Sequence, residues 1–325
     1  MPRRAVRVAS CAAVACATAF AVGTAGAAPQ SDDKSAQPKP LNILLTNDDG
    51  WRGANGSDTP FIVTLRDALK AAGHNVVVVA AGTDQSGQGG RISQPPTKLE
   101  LANPEPDVWT LTPGSPSDAV YFGLDEIFAG EKPDLVISGM NPGTNYGALI
   151  NHSGTVNAAL TALEFDVPSV AISLATDPRN WPEGINHSGG PAATYVTNLV
   201  KQLQDKSRRG QLIPEGVALN VNYPLVPGPV DPATGKPGSV LPPKGTKATS
   251  VAEGPFLTPD YIPVNGEGGR PGTYTIGLSA NTEAAPGTDV RTVTDGYVSV
   301  SALEDDHDVD VSTSSWLRDL TRRLR

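Results

Sequence analysis

The chain has 325 residues, with 25 lysines and arginines against 34 aspartates and glutamates, a formal charge of −9, 34 glycines and 30 prolines. That is enough chain for one large domain or two, and the acidic balance argues against a protein that tracks a nucleic-acid polymer through its phosphates. Hydrophobic residues make up 38% and fall in clear apolar runs, which argues against global disorder, although so much Gly and Pro predicts many loops.

The N-terminus reads as an export signal. Arg3, Arg4 and Arg7 precede an acid-free stretch of apolar and small residues, Val8 to Val22, and the small-x-small tripeptide Ala25-Gly26-Ala27 follows. This predicts a signal peptide over residues 1–27, cut near Ala27, and a protein that is secreted or held in the periplasm or on the exterior of the cell envelope. The stretch is short and rich in Ala and Gly rather than Leu or Ile, so no membrane contact is expected after its removal. Both cysteines, Cys11 and Cys16, leave with it, which excludes disulfides, thiolate metal sites and cysteine nucleophiles from the mature chain. Residues 28–40, polar and Pro-containing, read as a linker.

Leu41 to Thr46 is a short apolar run ended by Asn47-Asp48-Asp49-Gly50. Helical spacing follows through Phe61, Leu65, Ala68 and Leu69, and then a β-branched run from Val76 to Ala80. The alternation continues with a strand at 108–111, a helix at 117–128, a strand at 135–138, a helix at 156–165, a strand at 169–173, a helix at 192–203 and a strand at 217–221. Such alternation predicts an α/β fold whose parallel sheet is covered by helices, over residues 41–224. From Pro224 the composition turns to Pro and Gly, and the apolar stretches Tyr274 to Leu278 and Tyr297 to Ala302 are short and strand-like. Residues 225–325 are therefore expected to form a β-rich arm or small subdomain and a C-terminal helix, Trp316 to Leu324, completing the same domain.

In an open parallel sheet, ligands bind beyond the carboxyl ends of the strands. Three segments there carry chemistry. After the first strand, Asp48 and Asp49 stand where a dinucleotide fold would place its glycines; adjacent carboxylates would repel a pyrophosphate but suit a hard divalent cation. An Asp-Gly turn capped by its own side chains is the alternative reading of the same residues. After the second strand, the loop Ala81 to Gly90 carries Ser86 among small residues. After the strand at 135–138, Gly139 to Gly147 includes Asn141 and Asn145, and His152-Ser153-Gly154-Thr155 enters a helix whose N-terminal N–H groups form an anion site.

Together, NILLTNDDG, the DQSGQG loop and SGMNPGTNYG followed by HSGTVNAAL resemble the SurE (survival protein E) family of metal-dependent nucleotidases and acid phosphatases. TPGSPSD at 112–118, LNVNYP at 219–224, Thr288-Asp289 and GYVSV at 296–300 extend the resemblance over most of residues 42–303. It implies a Rossmann-like three-layer core with a C-terminal β-hairpin arm used in oligomerisation, as a homodimer or homotetramer. It implies one divalent cation per subunit, Mg²⁺ or Mn²⁺, held by Asp48, Asp49, Ser86 and Asn141, with Asp48, Asp49 and Asn141 as the catalytic set. Asn145, Ser153, Gly154 and Thr155 match the positions that face the substrate phosphate. The implied reaction is hydrolysis of nucleoside 5′- or 3′-monophosphates and related esters through a metal-oriented water. The chain departs from the family in the longer segment RGANGSDTP after Asp49, in Leu149 where Asp is common, and in an expanded stretch from Val226 to Pro243.

The competing class is an exported, non-catalytic nucleotide or phosphate binder, which gains little from paired carboxylates in the absence of a metal. His152 adjoins the site but reads as structural. The other histidines lack zinc spacing, and no serine lies in G-x-S-x-G. The acids Asp305, Asp306, Asp308 and Asp310 read as a solvated charge run.

Overall fold

The computed structural model describes residues 39–52, 61–176, 183–207, 210–229, 232, 239–254, 256–266, 268–281, 283–305, 318, 321 and 322. The signal peptide expected over residues 1–27, most of the expected linker, most of the RGANGSDTP segment, the acidic run beyond Asp305 and most of the expected C-terminal helix lie outside them.

The aliphatic run Asn42–Thr46 (β1) is buried on both faces, as a central parallel strand requires. It pairs in parallel with Asn75–Ala81 (β2) on one side. Between them the helix Phe61–Ala71 (α1) turns Phe61, Ile62, Leu65 and Leu69 inward, the stripe its spacing predicts. Glu100–Glu105 (β3) and Val108–Thr112 (β4) follow as an antiparallel pair, with β4 parallel to β2. Pro116–Phe122 (α2) starts in a capping box, in which Ser115 and Asp118 satisfy each other's backbone N–H. The helix expected over 117–128 ends as α-helix at Phe122 and continues as a π-turn over Gly123–Ile127. Gly123 explains the local crowding, since a methyl there would stand 2.8 Å from a Leu44 Cδ atom on β1.

Leu135–Pro142 (β5), Gly154–Leu163 (α3), Ser169–Leu174 (β6), Glu183–Lys206 (α4) and Val217–Tyr223 (β7) complete the alternation. Helix α4 begins nine residues before the expected start, because it runs through Pro191, a residue that reads as a helix boundary. Beyond β7 come the short strands Val226–Pro227 (β8) and Val240–Leu241 (β9), then Thr246–Thr249 (β10), Leu257–Pro263 (β11), Tyr274–Ala280 (β12), the helix Asp289–Thr294 (α5) and Val298–Glu304 (β13).

The main sheet has the order β10-β13-β7-β6-β5-β1-β2-β4-β3. Its six central strands, β7 to β4 in that order, are parallel, and β13 and β3 flank them in antiparallel pairing. The arm is thus narrower than the composition change suggests: only β11 and β12 form the long hairpin, while β10 and β13 rejoin the core sheet. Helices α1 and α4 bury one face, packing on Ile43, Leu45, Val78 and Ile137. Helices α2 and α3 bury the other, on Leu44, Val79 and Val136. Strand order reverses between β1 and β5, and this switch point opens a crevice at their carboxyl ends. No described helix is long and apolar enough to cross a membrane.

Candidate active site

The turn that leaves β1 at this crevice is shaped by its own residues. Asn47 Nδ2 donates to Gly50 O at 3.1 Å, and Gly50 has φ +84°, a conformation that favours glycine. Space is short as well: a side chain at Gly50 would begin 3.3 Å from Ala81 O at the end of β2. The turn brings both acids inside, with Asp48 2% exposed and Asp49 9%. Thr155 Oγ1 donates to Asp48 Oδ1 at 2.8 Å, so the N-terminus of α3 faces this carboxylate. Gly154 permits the approach, because a Cβ there would stand 2.9 Å from that of Asp48.

Electrostatics divide the pair. Burial raises the Asp48 pKa, and the Thr155 hydroxyl with the N–H groups of Asp48 and Thr155 offsets part of that rise. Asp49 accepts no hydrogen bond from any described residue; burial, then the charges of Asp48 and Asp84, push it up to about 8. Asp84, which sequence reading passed over, belongs to the loop after β2. That loop is fastened by Gln85 N donating to Asp48 O at 2.7 Å and Gly89 N to His152 O at 3.0 Å. Further along it, Ser115 Oγ donates to Arg91 O, and Asp118 accepts from Ser93 N and Oγ, both at 2.8 Å. Ser86 is exposed on the loop and donates from N and Oγ to Asp84 Oδ1.

After β5 the chain is re-aimed. The β5–β6 register skips Met140, a bulge that sets Asn141 opposite Ser173. Asn141, half-buried, donates from Nδ2 to Gly143 O at 2.8 Å. Asn145 is buried and its side chain donates to Ser173 Oγ at 2.8 Å, so it is engaged within the protein. Ser153 caps α3 by accepting from Val156 N at 3.0 Å, and Thr155 is taken up by Asp48. His152 is exposed; its backbone, through the bond from Gly89, joins the two loops.

Asp289 is wholly buried, accepting from Gly147 N and Ala252 N at 2.9 Å and from Val290 N at 2.8 Å. Beside it, Phe256, Ala252 and Val290 pack with Tyr146, so the root of the β11–β12 hairpin rests on the site loop.

The structure therefore gathers Asp48, Asp49, Gly154 and Thr155 directly, and brings the Ser86 loop to them through Gln85 and Asp84. Asn141 lies on the neighbouring strand at the same sheet edge, and Asn145 beneath its loop. Sequence reading missed Asp84, Asp118, Asp289 and Asn222 as organisers. Of these only Asp118 had a local signal, the S-x-x-D cap. Among the described residues no three or more His, Cys, Asp or Glu converge as a metal cage. The donors at the crevice are two carboxylates, a hydroxyl and an amide, an all-oxygen set that fits a hard cation such as Mg²⁺ or Mn²⁺. The deciding observation for that fit is Asp49, a buried carboxylate beside a second one with no described donor to satisfy it.

The family model for survival protein SurE matches residues 43–249, which include both aspartates, the Ser86 loop and the whole Asn141–Thr155 segment. The chain belongs to the SurE family. A 5′-nucleotidase SurE from Gloeobacter violaceus is 38% identical over 192 residues, covering 58% of this chain and 65% of that protein. A protein of the same name from Picosynechococcus is 35% identical over 192 residues, covering 57% and 64%. The chain thus spans just under two thirds of the length of these SurE relatives. A solved SurE protein from Aquifex aeolicus aligns with 85% of this chain and 99% of its own, with a TM-score of 0.65 and 29% identity.

Proposed function

We propose that this protein is an exported phosphomonoesterase that hydrolyses nucleoside 5′- or 3′-monophosphates and related esters with one divalent cation, Mg²⁺ or Mn²⁺, per subunit. The observation that carries the reading is the buried Asp48–Asp49 pair at the switch point, half satisfied by α3 and half left without a donor. The names of the curated relatives, 5′-nucleotidase SurE, support the ester class.

Asp48, Asp49, Ser86 and Asn141 are the residues that would hold the cation, which when bound neutralises the pair and polarises a phosphoryl oxygen. Thr155 fixes Asp48, so that its carboxylate need not reorganise during the reaction. Asp49, whose oxygens take no described hydrogen bond, would accept a proton from the attacking water. The N–H groups of Thr144, Tyr146 and Gly154, which have no partner among the described residues, are the ones left to meet phosphate oxygens, since those of Gly143, Asn145, Gly147, Thr155 and Val156 are bonded within the protein. Ser153 and Asn145 serve this by holding that backbone, their side chains being committed to Val156 and Ser173.

Export rests on the signal-like residues 1–27. Assembly as a homodimer or homotetramer is supported by the β11–β12 hairpin, which leaves Tyr261 66% and Ile276 69% exposed. Light scattering on the purified mature chain tests assembly, and a monomer at micromolar concentration would end that part of the reading.

The primary test is phosphate release from 5′-AMP by the chain starting at Ala28, with Mg²⁺ or Mn²⁺ and again with chelator. Turnover that requires the cation is expected. A folded protein that binds the cation yet releases no phosphate from 5′-AMP or an aryl phosphate would make it a binder instead.

A further inference from the structure

Three residues stand level across three neighbouring strands at the crevice: Asn141 on β5 opposite Ser173 on β6, and Ser173 opposite Asn222 on β7. The site loop that leaves Asn141 folds back over this row and is bonded to it. Asn222 Oδ1 accepts from Asn145 N at 2.8 Å, and Asn222 Nδ2 donates to Asn145 O at 3.0 Å. Asn220 Nδ2 reaches the same carbonyl at 2.8 Å, and Asn145 Nδ2 donates to Ser173 Oγ at 2.8 Å.

The two-point grip by Asn222 has the pattern of a backbone pairing between strands, donor to acceptor and acceptor to donor, supplied by one side-chain amide. Asn145 belongs to no strand, and Asn222 satisfies its backbone where no strand partner does. Asn222 and Asn220 are themselves fully buried, so the bonds are sheltered from competing water. Neither residue reaches the aspartates of the β1 turn through any described hydrogen bond.

We propose that Asn222 is a positioning residue: its amide sets the backbone of Asn145 and, through the three residues between them, the orientation of Asn141 on the one side. Toward the other side, the same grip fixes the approach to Gly147 and the start of α3. The inference rests on the phosphomonoesterase reading for its catalytic consequence, though the grip itself does not.

The test compares the wild-type mature protein with Asn222→Ala and Asn222→Asp. The measurements are kcat and KM for 5′-AMP per folded molecule, Mn²⁺ affinity by calorimetry, and hydrogen exchange of peptides covering 141–151. Asn222→Ala should lower kcat/KM by roughly ten- to a hundredfold, the cost of a misplaced catalytic group. Its Mn²⁺ affinity should fall too, but by less than kcat/KM, because Asn141 is one of four residues that would hold the cation while Asp48 and Asp49 stay on the β1 turn. Exchange across 141–151 should quicken. Asn222→Asp, which on burial protonates and can again both accept and donate, should recover part of kcat.

A folded Asn222→Ala protein with wild-type kcat/KM and unchanged exchange would overturn the proposal. Should Asn222→Ala not fold, Asn222→Asp decides by the same two measurements. A wild-type protein that releases no phosphate would count against the phosphomonoesterase reading alone, and exchange over 141–151 would then decide whether Asn222 holds the loop.

Discussion

Asp289 and Asp49 are both buried carboxylates, one at the root of the hairpin and one at the end of β1, and the protein treats them in opposite ways. Asp289 accepts three backbone N–H groups from three separate segments, so its charge is met by the fold. Asp49 lies beside a second carboxylate, within the field of a third, and accepts nothing from the described residues. A buried charge that the chain satisfies acts as a fastener. One that no donor meets is pushed toward its neutral form in the free protein, a shift that a bound cation would reverse.

The largest effect should separate the two residues cleanly. Asp49→Asn is expected to reduce phosphate release about a hundredfold or more, the scale for losing a group that meets charge in the transition state, while leaving the melting temperature of the metal-free protein equal or higher. A fall in activity below fivefold would break the comparison. Asp289→Asn should do the reverse in kind, costing about 1–3 kcal/mol in urea denaturation, because its one remaining oxygen can still serve Ala252 and Val290 while its NH2 group meets the N–H of Gly147 donor to donor. A change under about 0.5 kcal/mol, the size usual for surface sites, would show that Asp289 fastens nothing.

A pH series sharpens the contrast. Asp49 binds a proton more tightly folded than unfolded, its pKa moving from 3.8 to about 8 without metal. Folding is therefore favoured below the lower value, and that contribution drains away as pH rises through the window up to about 8. The melting temperature of the metal-free protein should fall between pH 5 and 9, Asn at position 49 should flatten the slope, and Mn²⁺ should stabilise most at the alkaline end. A slope unaffected by Asp49→Asn would place the proton elsewhere. The smallest effect is expected at the cap of α3, where Ser153→Ala should cost about 1 kcal/mol in the same denaturation assay.

Much of the fold was readable because its signals are local. The aliphatic runs of β1 and β2, the stripe of α1 and the Asp-Asp-Gly turn each announce themselves within a dozen residues. Edge strands did not: β3, with the sequence ELANPE, is almost wholly exposed and shows no alternation to read. Strand β13 looked like part of an arm because nothing local reveals that Val298–Glu304 will pair with β7. The site divides along the same line. Its chemical groups were visible as motifs, but their partners were not, since Thr155 meets Asp48 across 107 positions and Gly147 meets Asp289 across 142. Hence the bonds of Asn145 to Ser173 and of Thr155 to Asp48 could not be read from the motifs that carry these residues.

The contact between Gly154 and Asp48 also works as a depth stop. With no side chain at that position, the helix can advance until its backbone nearly touches the carboxylate; a single added methyl would hold it off. Gly154→Ala is thus a spacer of one carbon, inserted between the part of the molecule that would carry the metal and the part that would grip the phosphate. The length of that gap, rather than the identity of either partner, is what the glycine encodes.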